Sequence, residues 1–137
     1  VERAAEGCKA KGAKRAVMLP VSAPFHSSLM QPAAEHLQVA LAGLSFNPPR
    51  IPVVNNVDVA NESDPAAIKA ALVRQAAAPV RWVEIMRAMQ AAGVTHVFEC
   101  GPGKVLAGLT KRCADGLVGG AMNDLAGVEA TLAAVKG

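Results

Sequence analysis

Val94-Thr-His-Val-Phe-Glu-Cys100 runs directly into Gly101-Pro-Gly103 and then into Lys104-Val-Leu-Ala-Gly-Leu. The first seven residues are rich in β-branched and aromatic types, so they read as a strand. The glycines and proline make a tight turn, and apolar spacing then predicts a helix from Lys104 to about Ala114. Leu117–Met122 follows as a weak, glycine-broken strand, and Asn123 or Asp124 caps a last helix ending near Val135. On the other side, a helix is expected from about Val80 to Ala92, stopped by Gly93. Short apolar strands alternating with helices argue for an α/β fold with a largely parallel sheet.

Further towards the N-terminus, Asp64-Pro65 is an N-cap followed by proline at the first helical position. That helix should run to about Ala77, where Pro79 ends it. Ile51-Pro-Val-Val-Asn55 is a short apolar run and reads as a buried strand. Leu29, Met30, Ala33, Leu37, Ala40, Leu41 and Leu44 recur at helical spacing, with Ser27 or Ser28 as the cap and Asn47-Pro-Pro-Arg50 as the break. Before them comes a stiff loop, Pro20-Val-Ser-Ala-Pro-Phe-His26, in which two prolines restrict the backbone. Arg15-Ala-Val-Met-Leu19 reads as a strand, and residues 2–11 as a helix stopped at Gly12. Three strands in residues 50–122 make a thin sheet. The chain also opens at Val1 in mid-helix, without an initiator methionine or signal region. Both features lead us to expect a piece of a longer protein.

The 137 residues are 52% hydrophobic and 18% charged, enough to fill a core. Aromatics make up only 3%, which disfavours nucleic-acid readers that stack bases. No apolar run reaches the roughly 18 residues of a membrane helix. The net charge of +3 resides entirely in residues 1–15, where Arg3, Lys9, Lys11, Lys14 and Arg15 outnumber Glu2 and Glu6. This patch is either a docking surface for an acidic partner or an ordinary solvated face. Cys8, Cys100 and Cys113 form no CxxC pair, and His26, His36 and His96 form no ligand-spaced cluster. Neither a disulfide framework nor a metal site is expected, and a reducing cytoplasm fits.

His26, on a rigid loop before a helix, is placed for general-base work. It lacks an evident nucleophile, because none of Ser22, Ser27, Ser28, Ser45 and Ser63 lies in a Gly-x-Ser-x-Gly elbow. Cys100 follows an apolar run and is expected in the core. Gly101-Pro-Gly-Lys-Val lacks both phosphate-loop spacings and reads as a turn that lets helix and strand pack closely. Arg74-Gln75 closes a helix whose last carbonyls lack intrahelical partners.

Gly12 through Met30, Val53–Asp58, Leu72–Gln75 with Pro79–Trp82, and Glu99–Leu106 together resemble the malonyl-CoA:acyl-carrier-protein transacylase family, in that family's order. The resemblance implies the C-terminal part of an α/β-hydrolase-like acyltransferase domain. Residues 1–22 would be the final helix and strand of a ferredoxin-like small subdomain, and 23–137 the C-terminal part of the large domain. It implies ping-pong transfer of malonyl from coenzyme A to the phosphopantetheine thiol of acyl carrier protein, in fatty acid biosynthesis, with no resident cofactor. His26 matches the catalytic histidine. Gln75 matches the position whose backbone carbonyl orients it, so Gln75→Ala should be mild beside His26→Ala.

The same resemblance makes Phe25 a substrate-binding residue that favours malonyl. It also makes Lys9, Lys11, Lys14 and Arg15 a docking patch for the strongly acidic carrier protein. The elbow serine, an oxyanion-hole glutamine and the arginine clamp are expected before Val1, so this stretch alone should be inactive. A monomer is expected at full length. The alternatives are an acyltransferase domain of a polyketide synthase, a non-catalytic carrier-binding remnant and, more remotely, a thioesterase-like hydrolase.

Overall fold

The computed structural model describes residues 1–136. Six helices, α1 (Glu2–Ala10), α2 (Gln31–Ala42), α3 (Pro65–Ala77), α4 (Trp82–Ala91), α5 (Val105–Cys113) and α6 (Leu125–Lys136), alternate in the C-terminal half with strands β1 (His96–Glu99) and β2 (Val118–Ala121). The two strands pair in parallel, from His96 opposite Val118 to Glu99 opposite Ala121. Parallel neighbours need a crossover, and α5 supplies it, packing on both strands, while α6 packs on β2. This is the α/β arrangement expected from the strand–turn–helix stretch at Val94–Leu106.

Close packing of helix on strand depends on two glycines of β2. A Cβ at Gly119 would collide with the Ala107 carbonyl of α5, and one at Gly120 would lie 2.7 Å from Phe98 Cδ1. The glycines that make β2 a weak strand by propensity are thus required by its packing. Below the sheet, Ile85 and Met86 of α4 join Ala114 and Leu117 in the buried core, with Trp82, Met89 and Val97 against its edge. α2 lies along α3, burying Ala34, Leu41 and Ala71.

Helix ends follow their local chemistry in part. Asp64 accepts from the Ala67 N–H at 2.8 Å, with Pro65 opening α3. Asp124, one of the two predicted caps, accepts from the Gly127 N–H at 2.8 Å. Neither Ser27 nor Ser28 caps α2. A single 3-10 turn occupies Ser28–Met30 and Met30 sits at the N-cap. The Ser27 hydroxyl turns back instead and donates to the Pro24 carbonyl at 2.7 Å.

Two predicted strands do not form. Arg15–Leu19 is irregular, and Val17, Met18 and Leu19 are exposed. Ile51–Asn55 contributes one antiparallel bridge, Val54 to Asn61. A strand is stable only with a neighbour to complete its hydrogen-bond ladder; among the described residues Arg15–Leu19 pairs with none, and Ile51–Asn55 meets only the short return of its own loop at Asn61. Cys100 is likewise exposed rather than in the core, because β1 ends at Glu99 and the chain turns out at Gly101.

Candidate active site

His26 sits in the left-handed region with φ 56°, a conformation uncommon for a residue with a Cβ. The 20–27 loop, closed by the Ser27–Pro24 bond, brings its exposed ring to the end of α3. There Nδ1 lies 3.3 Å from the Gln75 carbonyl and 3.2 Å from the Ala78 carbonyl. A carbonyl can only accept, so Nδ1 carries the proton and donates to both. The neutral ring is then the tautomer with its lone pair on Nε2, which makes no hydrogen bond among the described residues. A ring held in this way accepts a proton at Nε2, and the cation so formed faces the carbonyl end of a helix.

The sequence explains why those carbonyls are available. In a continuing helix the Gln75 carbonyl would accept from the N–H of residue 79, which is proline and has none. Ala78, held extended at φ −98° and ψ 152° by the following proline, turns its own carbonyl out of the helix. The Ala78 acceptor was not anticipated from the sequence. The signal was present in the four-residue spacing from Gln75 to Pro79 and in the pre-proline position of Ala78.

Phe25, beside His26, is exposed. Lys9, Lys11, Lys14 and Arg15 are all exposed on and just after α1, a helix with no buried residue. The structure therefore brings His26 and Gln75 together and leaves the basic residues at the surface. The Gly101–Gly103 turn is filled by protein: Glu99 Oε2 accepts from the Ala107 N–H at 2.9 Å at the start of α5. Its carboxylate occupies the helix N-terminus that a phosphate loop would leave open. No serine hydroxyl bonds to His26 among the described residues. Those residues hold no group of three or more metal-ligating side chains, and no described helix is long and apolar enough to cross a membrane.

Sequence comparison finds the malonyl CoA-acyl carrier protein transacylase of Salmonella typhimurium 55% identical over 132 residues, which are 96% of this chain and 43% of that protein. The Bacillus subtilis transacylase is 46% identical over 112 residues, 82% of this chain and 35% of the relative. This chain is homologous to part of the malonyl CoA-acyl carrier protein transacylases. It spans about two fifths of the length of the Salmonella relative. No family model matches it. The acyl-carrier-protein S-malonyltransferase structure from Burkholderia pseudomallei superposes with a TM-score of 0.88 at 61% identity, covering 96% of this chain and 43% of that one. A malonyl-transacylase solved in complex with a type II polyketide acyl-carrier protein superposes at 0.90 with 50% identity, covering 97% and 43%. The fold is therefore that of a transacylase segment, built of mixed helix and sheet.

Proposed function

We propose that this chain carries the proton-transfer half of a malonyltransferase site, moving malonyl from coenzyme A to the phosphopantetheine thiol of acyl carrier protein in fatty acid biosynthesis. The observation that carries this reading is the His26 ring, held by two carbonyls with Nε2 unengaged. The names of the homologous transacylases supply the substrates.

In the first half-reaction, Nε2 of His26 takes the proton of a serine hydroxyl as its oxygen attacks the malonyl thioester carbonyl. The tetrahedral intermediate collapses, the carbon–sulfur bond breaks, and the imidazolium gives its proton to the departing coenzyme A sulfur. In the second half, the same nitrogen removes the proton of the carrier thiol as sulfur attacks the acyl-serine ester. The proton returns to serine oxygen as that bond breaks. No oxidant, metal or resident cofactor enters this balance. The attacking serine, the oxyanion-hole donors and the arginine that pairs the malonyl carboxylate are contributed by residues outside these 137.

Phe25 lies beside the base, and its bulk near the substrate α-carbon favours malonyl over branched acyl groups. Lys9, Lys11, Lys14 and Arg15 form a docking patch for an acidic carrier. The division at residue 22, with 1–22 in a small subdomain, is part of the same reading, as is action as a monomer. So is a cytoplasmic location, which suits three free cysteines.

A second reading, service to a polyketide rather than a fatty acid carrier, is favoured by one observation. A superposing transacylase was solved with a type II polyketide carrier protein.

The deciding experiment follows labelled malonyl from coenzyme A to holo acyl carrier protein in the full-length protein and in His26→Asn. Asparagine tolerates the left-handed backbone at this position better than alanine. Transfer should fall by about 10²–10⁴-fold with the fold unchanged. Undiminished transfer in the variant, or release of the acyl group to water rather than to the thiol, overturns the reading.

A further inference from the structure

Gln75 touches the site twice. Its carbonyl accepts from His26, and its side-chain Oε1 accepts from the Asn56 N–H at 2.8 Å. Asn56 belongs to a tight loop closed by the Val54–Asn61 bridge. Within it Asn55 makes four bonds. Its backbone N–H and its side-chain amide each donate to the Ala60 carbonyl at 3.0 Å, while Oδ1 accepts from the N–H of Val57 at 3.2 Å and of Asp58 at 2.7 Å.

This loop is fastened to both sides of the α3–α4 connection. On the α3 side stand the Gln75 side chain and the Arg74–Asp58 ion pair. On the α4 side, the Arg81 N–H donates to the Asn56 carbonyl at 3.2 Å and its guanidinium to the Val57 carbonyl at 3.3 Å. The segment carrying the two acceptors of His26 is thus pinned at each end to one loop. Among the described residues, the non-glycine positions with positive φ are His26 at 56° and Val59 at 57°, the latter in that loop. A β-branched residue there is a backbone outlier, and such strain persists only where surrounding bonds hold it.

From this we infer that the Asn55–Asn61 loop is the positioning element of the site, and that the Gln75 side chain is a positioning residue acting through Asn56. It fixes the Gln75 and Ala78 carbonyls where they keep the proton of His26 on Nδ1. The inference rests on the proposed base role of His26 only for its effect on rate. Gln75→Ala, mild if only the carbonyl mattered, then falls between wild type and His26→Asn.

The test is the His26 tautomer, read by long-range ¹H–¹⁵N spectra of the full-length protein at about pH 8, where an ordinary imidazole is neutral. Gln75→Met keeps the length of the side chain and its backbone carbonyl but removes the acceptor. It should convert a ring protonated at Nδ1 into a mixture of tautomers. kcat should drop about tenfold to a hundredfold, with KM for the coenzyme A substrate unchanged. Should that variant fail to fold, Gln75→Asn withdraws the same amide by one methylene and gives the same readout. A folded variant whose tautomer and kcat match wild type overturns the inference. The spectrum does not depend on turnover. A wild type that transfers no malonyl, yet loses its single tautomer in Gln75→Met, sinks the functional reading and leaves this one standing.

Discussion

His26 Nδ1 lies 3.3 Å from the carbonyl of Gln75, across 49 positions of sequence, and Pro79 leaves that carbonyl without a helical donor. Pro79→Ala restores an N–H four residues after Gln75. The added donor should extend α3 and compete with His26 for the same oxygen. Removing a proline enlarges the unfolded ensemble at a cost of about 0.4–1 kcal/mol, and the regained helical bond contributes about as much in return. Thermal stability should therefore change little, while malonyl transfer by the full-length protein falls about tenfold. Unaltered transfer in a folded variant would remove the competition argument.

Glycine substitutions separate packing from propensity. A Cβ at Gly119 would run into the Ala107 carbonyl of α5, whereas one at Gly7 of α1 meets nothing within 4 Å. Gly7→Ala should stabilise its helix by about 0.5–1 kcal/mol. Gly119→Ala should destabilise by about 1–3 kcal/mol, the usual cost of overpacking. Denaturant unfolding of the two variants of the full-length protein should shift midpoints in opposite directions.

The contrast bears on what a sequence reveals. Local signals carried most of the elements: the β1–turn–α5 stretch, the Asp64-Pro65 start of α3 and the Asp124 cap of α6 all form where side chains within a few residues decide the outcome. Arg15–Leu19 and Ile51–Asn55 have strand composition too, but a strand is completed by a partner, which lies outside the information in the segment itself. Cys100 looked buried because the run before it is apolar, yet the strand ends one residue earlier. At the site, His26 was legible from its stiff loop, and Gln75 came from family resemblance. The Ala78 carbonyl that meets His26 and the Asn56 N–H that meets the Gln75 side chain are backbone groups of ordinary residues, each joined to a partner far away in sequence. Composition therefore carries no trace of them.

Arg81 and Glu84 pair at the start of α4. The hydrogen bond from Arg81, together with its charge, holds the Glu84 carboxyl below its ordinary value. A carboxyl depressed in the folded state stabilises that state above the unfolded carboxylate range, and the contribution is lost as pH falls through the folded value. Glu84→Gln should therefore lower the unfolding midpoint at neutral pH, with the two proteins converging in acid. The pair is exposed, so the difference should be small and shrink with salt. A gap that persists in acid would assign the effect to something other than this carboxylate.

The basic residues on and just after α1 give a prediction that separates docking from chemistry. Lys9, Lys11, Lys14 and Arg15 are exposed and lie in residues 1–15, which hold the whole net charge of +3, the rest of the chain being neutral in sum. Charges of this kind act over a Debye length of about 10 Å at 0.1 M salt, steering an acidic partner without entering the site. Reversing all four to glutamate in the full-length protein should raise the apparent KM for acyl carrier protein about tenfold or more at low salt. The effect should fade as salt increases, while KM for the coenzyme A substrate and the rate at saturating carrier stay as they were. An unchanged carrier KM at low salt would move the docking surface elsewhere. A loss of rate at saturating carrier would mean that the patch supports the fold of the site rather than the approach of the partner.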